Sequence, residues 1–397
     1  MKDRLINFIQ DETSPVIIKV IGVGGGGGNA VAYMSEEGIH DVDFVACNTD
    51  SQALQGLPDI VKCIQLGQSL TGGEGAGNNP ERGEAAALES LEEIESMLRE
   101  NTKMAFITAT MGGGTGTGAA PVIAKAAKEM NILTVGVVTF PMRSDGPKRV
   151  KQAHEGIKRM QEHVDALLVI DNEKICSLYG SRTQTDAFNK ANDVLKVAVK
   201  GIAEIITLPG YINVDFSDVK TVLTNSRMAI MGAAKASGKG RAERVIAEAL
   251  NSPLLNISDL SDANDILLSI SSGIDDNEIS VPELITITSY MTDRVGDVSV
   301  IWGVGMDETL GEDLSVTIIA TGFPFTEVDD APVNIPGMDS GTAREETYQN
   351  NDSVIDYAGM ILKKPDVSLQ PDLTVEEIRE LKMTPAYTRR RIKVNKI

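Results

Sequence analysis

Short apolar runs alternate along this chain with longer stretches whose apolar residues recur at helical spacing. Val16 to Ile21, Asp43 to Cys47, Val61 to Leu66, Lys103 to Ala109, Ile132 to Thr139 and Val164 to Ile170 are brief and rich in β-branched residues, the pattern of strands buried on both faces. Between them, Asn29 to Met34, Asn79 to about Arg99, residues 117–130 and Lys148 to His163 read as helices. Asn79 and Pro80 form an N-cap followed by proline at the first helical position, and Asn48-Thr49-Asp50 caps the segment after the second strand. Strands and helices in this alternation predict an α/β fold with a parallel, doubly wound sheet, whose ligands bind at the carboxyl ends of the strands.

Asp186 to Leu208 is one long helical stretch, stopped by Pro209-Gly210. At 1.5 Å per residue it spans roughly 35 Å, enough to connect two domains. Beyond it, Asn213 to Asp218 leads into a helix reaching Met231, Gly232 to Gly240 reads as a loose polar loop, and Arg241 to Leu250 as a helix. Strands at Ile266 to Ile270, Glu283 to Thr288, Val298 to Val304 and Leu314 to Thr321 make a second, smaller α/β domain. The boundaries are an extension over 1–14, a first domain over 15–185, the connecting helix over 186–208 and the second domain over 209–322. Residues 323–371 lose apolar spacing and are predominantly acidic, an expected disordered linker in which Val354 to Leu362 is an apolar exception able to order on a partner. In 372–397, Thr374 and Glu377 form a capping box, Leu373 and Ile378 a staple, and a basic segment comes after them: a docking peptide on a tether.

The candidate chemistry sits in three glycine-rich loops, each placed after a strand and so at one sheet edge. They contain Gly24, Gly25, Gly26 and Gly27; Gly75, Ala76 and Gly77; and the run Gly112-Gly113-Gly114-Thr115-Gly116-Thr117-Gly118. Glycine lets the backbone approach a ligand closely, free N–H groups at a helix start favour an anion, and Thr115 and Thr117 add uncharged hydroxyls. The expected role is a phosphate cradle; a tight turn or linker is the plainer alternative. Composition narrows the ligand. A net charge of −20 over 397 residues argues against general nucleic-acid binding. Cys47, Cys63 and Cys176 are scattered and odd in number, as buried free thiols in a reducing cytosol would be, and His40, His154 and His163 stand isolated without metal-ligand spacing. The first fifteen residues do not form a signal peptide, and no run approaches the ~20 apolar residues of a membrane helix, so direct membrane insertion is not expected.

Neither main glycine loop contains the lysine of a Walker A sequence. Gly22-x-Gly24-x-x-Gly27 after a strand fits a dinucleotide fingerprint and keeps an NAD-dependent oxidoreductase open, although Asp43 lies at the start of the second strand and Asn48 at its end. That reading leaves the central loop unexplained.

The central loop with Ala119-Ala120-Pro121, the loop from Gly24 to Ala30, Asn48-Thr49-Asp50 and Asn213-Val-Asp-Phe-Ser-Asp218, in that order, resemble the tubulin/FtsZ GTPase family from about Val16 to the end. The resemblance implies a GTP-binding domain, a central helix and a C-terminal activating domain. It implies GTP or GDP with Mg²⁺ as cofactors, and head-to-tail self-assembly into protofilaments of the division ring, in the cytoplasm at midcell. It places Asn29, Asn48 and the glycine loops at the phosphates, with Asp145 and Arg149 beside them. It assigns guanine reading to Asp193 and Asn172, stacking to Phe188, and hydrolysis in the neighbouring subunit to Asn213, Asp215 and Asp218. Read by themselves, the plainer roles are favoured, with Asp193 a solvated helix charge, Asn172 a turn residue and Phe188 core, and the Asp215/Asp218 pair has a simple helix cap as its alternative. Asp145 stands where the family more often has Glu, Glu74 where an apolar residue is commoner, and Tyr387-Thr388 where the docking peptide usually has Phe-Leu. An FtsA-like membrane tether is the first expectation for its adaptor. A GTP-binding scaffold with little hydrolysis is the remaining alternative.

Overall fold

Six strands with scarcely a charged residue stack side by side because only a sheet pairs their backbone groups away from water. In the computed structural model these are β1 (Ile18–Val23), β2 (Val42–Asn48), β3 (Lys62–Gln65), β4 (Met104–Thr110), β5 (Leu133–Phe140) and β6 (Ala166–Asp171), all parallel, in the order β3-β2-β1-β4-β5-β6. The structure describes residues 18–323 except 37, 40–41, 180–183, 208–213, 253–254, 256–259, 261–262 and 297, together with 354–355 and 361–362; for 178–179, 184–188 and the last two pairs it describes the backbone alone. The chain runs outward from β1 to β3 and then restarts on the other side at β4. The reversal between β1 and β4 is the switch point at which such sheets open a crevice.

The helices are α1 (Gly24–Glu36), α2 (Ser51–Gln55), α3 (Gln68–Thr71), α4 (Pro80–Glu89), α5 (Leu91–Arg99), α6 (Thr115–Glu129), α7 (Pro147–His163), α8 (Asn172–Tyr179) and α9 (Gln184–Thr207). Asp50 caps α2 and Asn79 caps α4 through their side-chain oxygens, as the sequence indicates. On one sheet face Val20, Phe106, Val135 and Leu168 meet Leu195, Ala198 and Ile202 of α9 beside Ala30 and Met34 of α1. On the other face Ile21, Ile107 and Val138 meet α4 to α7. Where α4 crosses α6 the backbones touch: a methyl group on Gly118 would lie 1.9 Å from the Pro80 carbonyl oxygen.

The stretch expected as one helix from Asn79 to Arg99 breaks at Ser90. Glu89 turns its carboxylate to the Ser69 and Leu70 N–H groups at 2.8 and 3.1 Å, and the Ser90 hydroxyl accepts from Gly67 at 3.0 Å. These contacts with α3 lie outside the helical periodicity.

The second half continues the same sheet. α10 (Phe216–Leu223) is followed by β7 (Arg227–Ser237), which pairs with β6, and then by α11 (Arg241–Leu250), β8 (Asp265–Ser272), α12 (Val281–Val295), β9 (Ser299–Met306) and β10 (Asp313–Phe323). The order runs on β6-β7-β10-β8-β9, with β10 antiparallel to both its neighbours. Two expectations fail in this half. The helix after Asp218 is present as α10 but ends at Leu223 instead of Met231, and residues 227–237, spanning its expected end and most of the loop from Gly232 to Gly240, are strand β7, whose alanines and glycine carry little strand signal. They are small because α11 sits on them, so that a methyl group on Gly232 would lie 2.2 Å from the Ala249 carbonyl oxygen. Glu283 to Thr288 is helix α12, not strand. Its Leu-Ile-Thr-Ile-Thr run alternates like a strand, but Ser280 and Glu283 form a reciprocal capping box and Ile287, Met291 and Val295 make a buried stripe. Cys47 is buried and its thiol is pushed up to about 12, chiefly by burial, whereas Cys63 is exposed, contrary to its apolar neighbours. In the C-terminal region, Val354–Ile355 and Ile361–Leu362 pair antiparallel. The remainder of 324–397 lies outside the described residues.

Candidate functional site

A cleft of about 770 Å³ opens at the carboxyl ends of β1, β4, β5 and β6. Gly24, Gly25 and Gly26 form one wall and residues 112–116 the facing one, while Pro141, Asp145 and Arg149 come from the β5 side and Asn172 from the end of β6. Two of the three glycine loops therefore converge as expected. Gly24 takes φ +74°, and a methyl group there would sit 2.9 Å from the Gly116 nitrogen, so the loops meet backbone to backbone. Gly25 and Gly113 have nothing within 4 Å of such a methyl group, leaving their backbones open to the cleft. Anionic groups of a ligand suit this arrangement, because the starts of α1 and α6 bring unpaired N–H groups together.

The other expected residues divide. Thr115 lines the cleft and its hydroxyl bonds to that of Thr49 at 2.6 Å. Thr117 is buried and accepts the Gly112 N–H at 2.9 Å, so its hydroxyl shapes the loop. Gly27 packs under Thr108, and Gly118 against α4. Asn48 is buried and accepts the Asp50 N–H at 3.3 Å, away from the cleft wall. Gly75, Ala76 and Gly77 stand behind the central loop: a methyl group on Gly114 would meet the Ala76 Cβ at 2.9 Å and the Asn79 nitrogen at 2.8 Å. Glu74 bridges to Asp50 through the backbone. Asn29, Asp145 and Arg149 line the cleft. Asp145 also accepts the Met142 N–H at 3.0 Å.

Asn172 lies on the wall with its Oδ1 buried and without a hydrogen-bond partner, an arrangement that costs about 1–3 kcal/mol unless a ligand donates to it. Asp193, expected beside it, turns away. One residue of helix rotates a side chain by about 100°, so Asn192 faces the cleft and Asp193 does not. The Asp193 carboxylate instead accepts from the Tyr33 hydroxyl at 2.5 Å and from Lys190 at 2.8 Å, with Lys196 at 3.7 Å. Burial pushes this carboxyl up, but the bonds from Lys190 and Tyr33 and the charge of Lys196 outweigh it and hold the pKa below the usual range. The sequence reading missed Tyr33, Asn189 and Asn192, which also line the cleft; Tyr33 follows Asn29 by one helical turn and could be found from it, whereas nothing in the residue order fixes the phase of α9. Phe188 is on α9, but its side chain lies outside the described residues, as does Asn213.

Asp215 and Asp218 are exposed, lie off the cleft, and cap α10 reciprocally: Asp218 N–H to Asp215 Oδ1 at 2.9 Å, and Asp215 N–H to Asp218 Oδ2 at 3.3 Å. Asp43, which a dinucleotide site would require at the ribose, is ion-paired with buried Lys19 at 2.7 Å. Among the described residues no group of three His, Cys, Asp or Glu side chains is placed to hold a metal.

Residues 17–180 match the Tubulin/FtsZ family, GTPase domain, and residues 227–324 match the FtsZ family, C-terminal domain. A cell division protein FtsZ of Porphyromonas gingivalis is 39% identical over 100% of this chain and 91% of its own length. An FtsZ dimer of M. jannaschii superposes with a TM-score of 0.72 at 40% identity, covering 77% of this chain and 88% of that one. CetZ2 from Haloferax volcanii, a GTPgS-bound protofilament, superposes with a TM-score of 0.66 at 26% identity, covering 78% and 94%.

Proposed function

The chain belongs to the tubulin/FtsZ family, and we propose on that basis how its own residues bind guanine nucleotide and complete its hydrolysis. It is an FtsZ-like GTPase that forms filaments in cell division. The nucleotide lies in the cleft with its phosphates between Gly24–Gly26 and residues 112–116, where helix N-termini and open backbone N–H groups favour anions. The observation that carries the guanine assignment is the buried, partnerless Asn172 Oδ1. Guanine presents two N–H donors on one edge, and the carbonyl oxygens of Asn172 and Asn192 supply acceptors for them. This replaces Asp193 as the second reader.

Arg149 is the single lysine or arginine on the described cleft wall. Mg²⁺ would fit as a passenger of the phosphates, offsetting charge that Arg149 alone does not meet, with Thr110, Thr115 and Asp145 among the oxygen-bearing side chains of the cleft wall. When bound, the metal supplies electrostatic stabilisation of the transferred phosphoryl group.

Hydrolysis is completed between subunits. Asp215 and Asp218 lie off their own cleft, at an exposed helix start, and in a head-to-tail filament they enter the cleft of the next subunit to polarise the attacking water. Such heterologous contacts build open filaments and make turnover depend on assembly. We assign 15–185 to nucleotide binding, 186–208 to the central helix, 209–322 to activation, 323–371 to a linker and 372–397 to docking on an FtsA-like tether. No described helix is long and apolar enough to cross a membrane, so recruitment to midcell is assigned to that adaptor. Competition binding tests the ligand: GTP and GDP displace a fluorescent guanine nucleotide at low concentrations and NAD does not. Displacement by NAD at concentrations equal to GTP refutes the assignment.

A further inference from the structure

The two glycine walls stand on a floor to which the family assignment gives no role. Thr110 ends β4, where the sheet reverses between β1 and β4, and it lines the cleft. The six residues of β4 before it are buried and Thr110 is exposed. Both walls press on it. A methyl group on Gly26 would overlap the Thr110 Oγ1, and one on Gly116 would lie 2.6 Å from the Thr110 carbonyl oxygen. The hydroxyl therefore sits between the two backbones that frame the phosphate end of the cleft.

Its neighbour on β5 fixes the direction of its proton. Thr139 is 3% exposed, stands opposite Thr110 in the sheet, and donates its hydroxyl proton to Thr110 Oγ1 at 3.0 Å. A threonine hydroxyl has one proton and two lone pairs. With a lone pair taken by Thr139, the Thr110 proton points away from β5. Among the described residues it meets no acceptor, and the side left to it is the cleft. A β-branched side chain is stiff at χ1, so the hydroxyl stays where this bond holds it. A hydroxyl that accepts one hydrogen bond also donates the next more strongly. Such a donor, aimed between glycine walls in a cleft with one arginine and no lysine on its described wall, suits an anionic oxygen.

Resting on the guanine-nucleotide reading, we propose that Thr110 donates a hydrogen bond to the phosphate chain of the nucleotide, and that Thr139 is a positioning residue that acts through Thr110. Neither belongs to the glycine loops or to the residues that the resemblance places at the phosphates. The contact is made to phosphate oxygen directly and not through a metal, so it persists when Mg²⁺ is absent. It holds the product diphosphate as well as the substrate.

The test uses the full chain with GDP as the probe, by calorimetry in EDTA and again with Mg²⁺. A hydrogen bond to a charged group changes affinity roughly tenfold or more. Thr110→Val should weaken GDP by about that factor in both buffers, and Thr110→Ser, which keeps the hydroxyl, should stay within about threefold of the parent. The phosphorus resonances of bound GDP should move in Thr110→Val and return in Thr110→Ser. Thr139→Val should weaken GDP less than Thr110→Val does, and should add nothing in the Thr110→Val background. Stability separates binding from structure. Thr110→Val strands the buried Thr139 hydroxyl and should lower the urea midpoint of the free chain; adding Thr139→Val removes that hydroxyl and should raise the midpoint again while GDP affinity stays low. The double variant also keeps the test decisive if Thr110→Val alone does not fold. Unchanged GDP affinity in folded Thr110→Val, a loss seen only with Mg²⁺, or GDP affinity that recovers with stability in the double variant would overturn the proposal. Failure of the unsubstituted chain to bind GDP at all would refute the guanine-nucleotide reading beneath it.

Discussion

Replacing Asn172 by leucine separates the cost of an unsatisfied group from its use. Asn172 is 8% exposed and its Oδ1 has no partner, so the free chain carries a buried polar atom worth about 1–3 kcal/mol of destabilisation. Leucine is close in volume and removes that atom. The cap of α8 survives the change, because it is the Asp171 carboxylate that accepts the Glu173 N–H at 2.8 Å. Nucleotide-free Asn172→Leu should therefore unfold in urea at the parent's midpoint or above it, by up to about 1 kcal/mol. Guanine nucleotide should bind more weakly, because a guanine N–H would then enter the cleft without an acceptor. That loss of about 1–3 kcal/mol corresponds to roughly 5- to 150-fold in Kd. Inosine diphosphate, which lacks the 2-amino group, identifies the donor: if Asn172 accepts from that group, GDP and inosine diphosphate bind the variant equally but the parent unequally. A variant that is destabilised by more than about 1 kcal/mol without ligand, yet binds GDP as the parent does, would refute the reasoning and make Asn172 a structural residue.

Other perturbations address separate parts of the molecule. Thr117→Val keeps shape but leaves the buried Gly112 N–H without its acceptor, so urea unfolding of the free chain should show a loss of about 1–3 kcal/mol; no loss would return Thr117 to the nucleotide. Gly118→Ala would place a methyl group 1.9 Å from the Pro80 carbonyl and should cost at least ~3 kcal/mol or prevent folding, read by circular dichroism and melting temperature. Asp215→Ala should abolish most GTP turnover while GDP affinity stays within twofold, with about 1 kcal/mol lost from the α10 cap; unchanged turnover per subunit removes Asp215 from hydrolysis. Glu283 is held at about 2 from an ordinary 4.5, first by the hydrogen bond from Arg241, with burial opposing. Because this folded pKa is depressed, its stabilisation is present above pH 4.5 and is lost as pH falls toward 2; the shift corresponds to about 3 kcal/mol, which solvent screening of this partly exposed pair reduces to about 1–2 kcal/mol. Glu283→Gln should lower stability near neutral pH and flatten the acid limb of the urea midpoint; an unchanged limb would contradict the ion pair.

The first half of the fold was legible because buried parallel strands and amphipathic helices write their periods directly into the residue order. Caps at Asp50 and Asn79 were equally plain, being local. The second half was less so. β7 is built from small residues chosen by the approach of α11, and α12 hides a strand-like Ile-Thr alternation behind a capping box that the residue pattern also contains at Ser280 and Glu283. The break at Ser90 depends on α3, a contact between distant segments. In the site, the two glycine walls could be read from sequence, since a glycine loop between a strand and a helix has few other purposes. The direction of a side chain on α9 could not be fixed without the helix's rotation against the sheet, and that rotation decides between Asn192 and Asp193.

Completion of the catalytic site by a second subunit is tested by the dependence of GTP turnover on protein concentration, with Mg²⁺ present. Almost no turnover per subunit is expected below a threshold concentration and a steep rise above it, matched by the onset of light scattering from filaments. A turnover per subunit that is constant from the lowest concentration upward would mean that each chain hydrolyses alone, and would contradict a role for Asp215 and Asp218 in the neighbouring cleft.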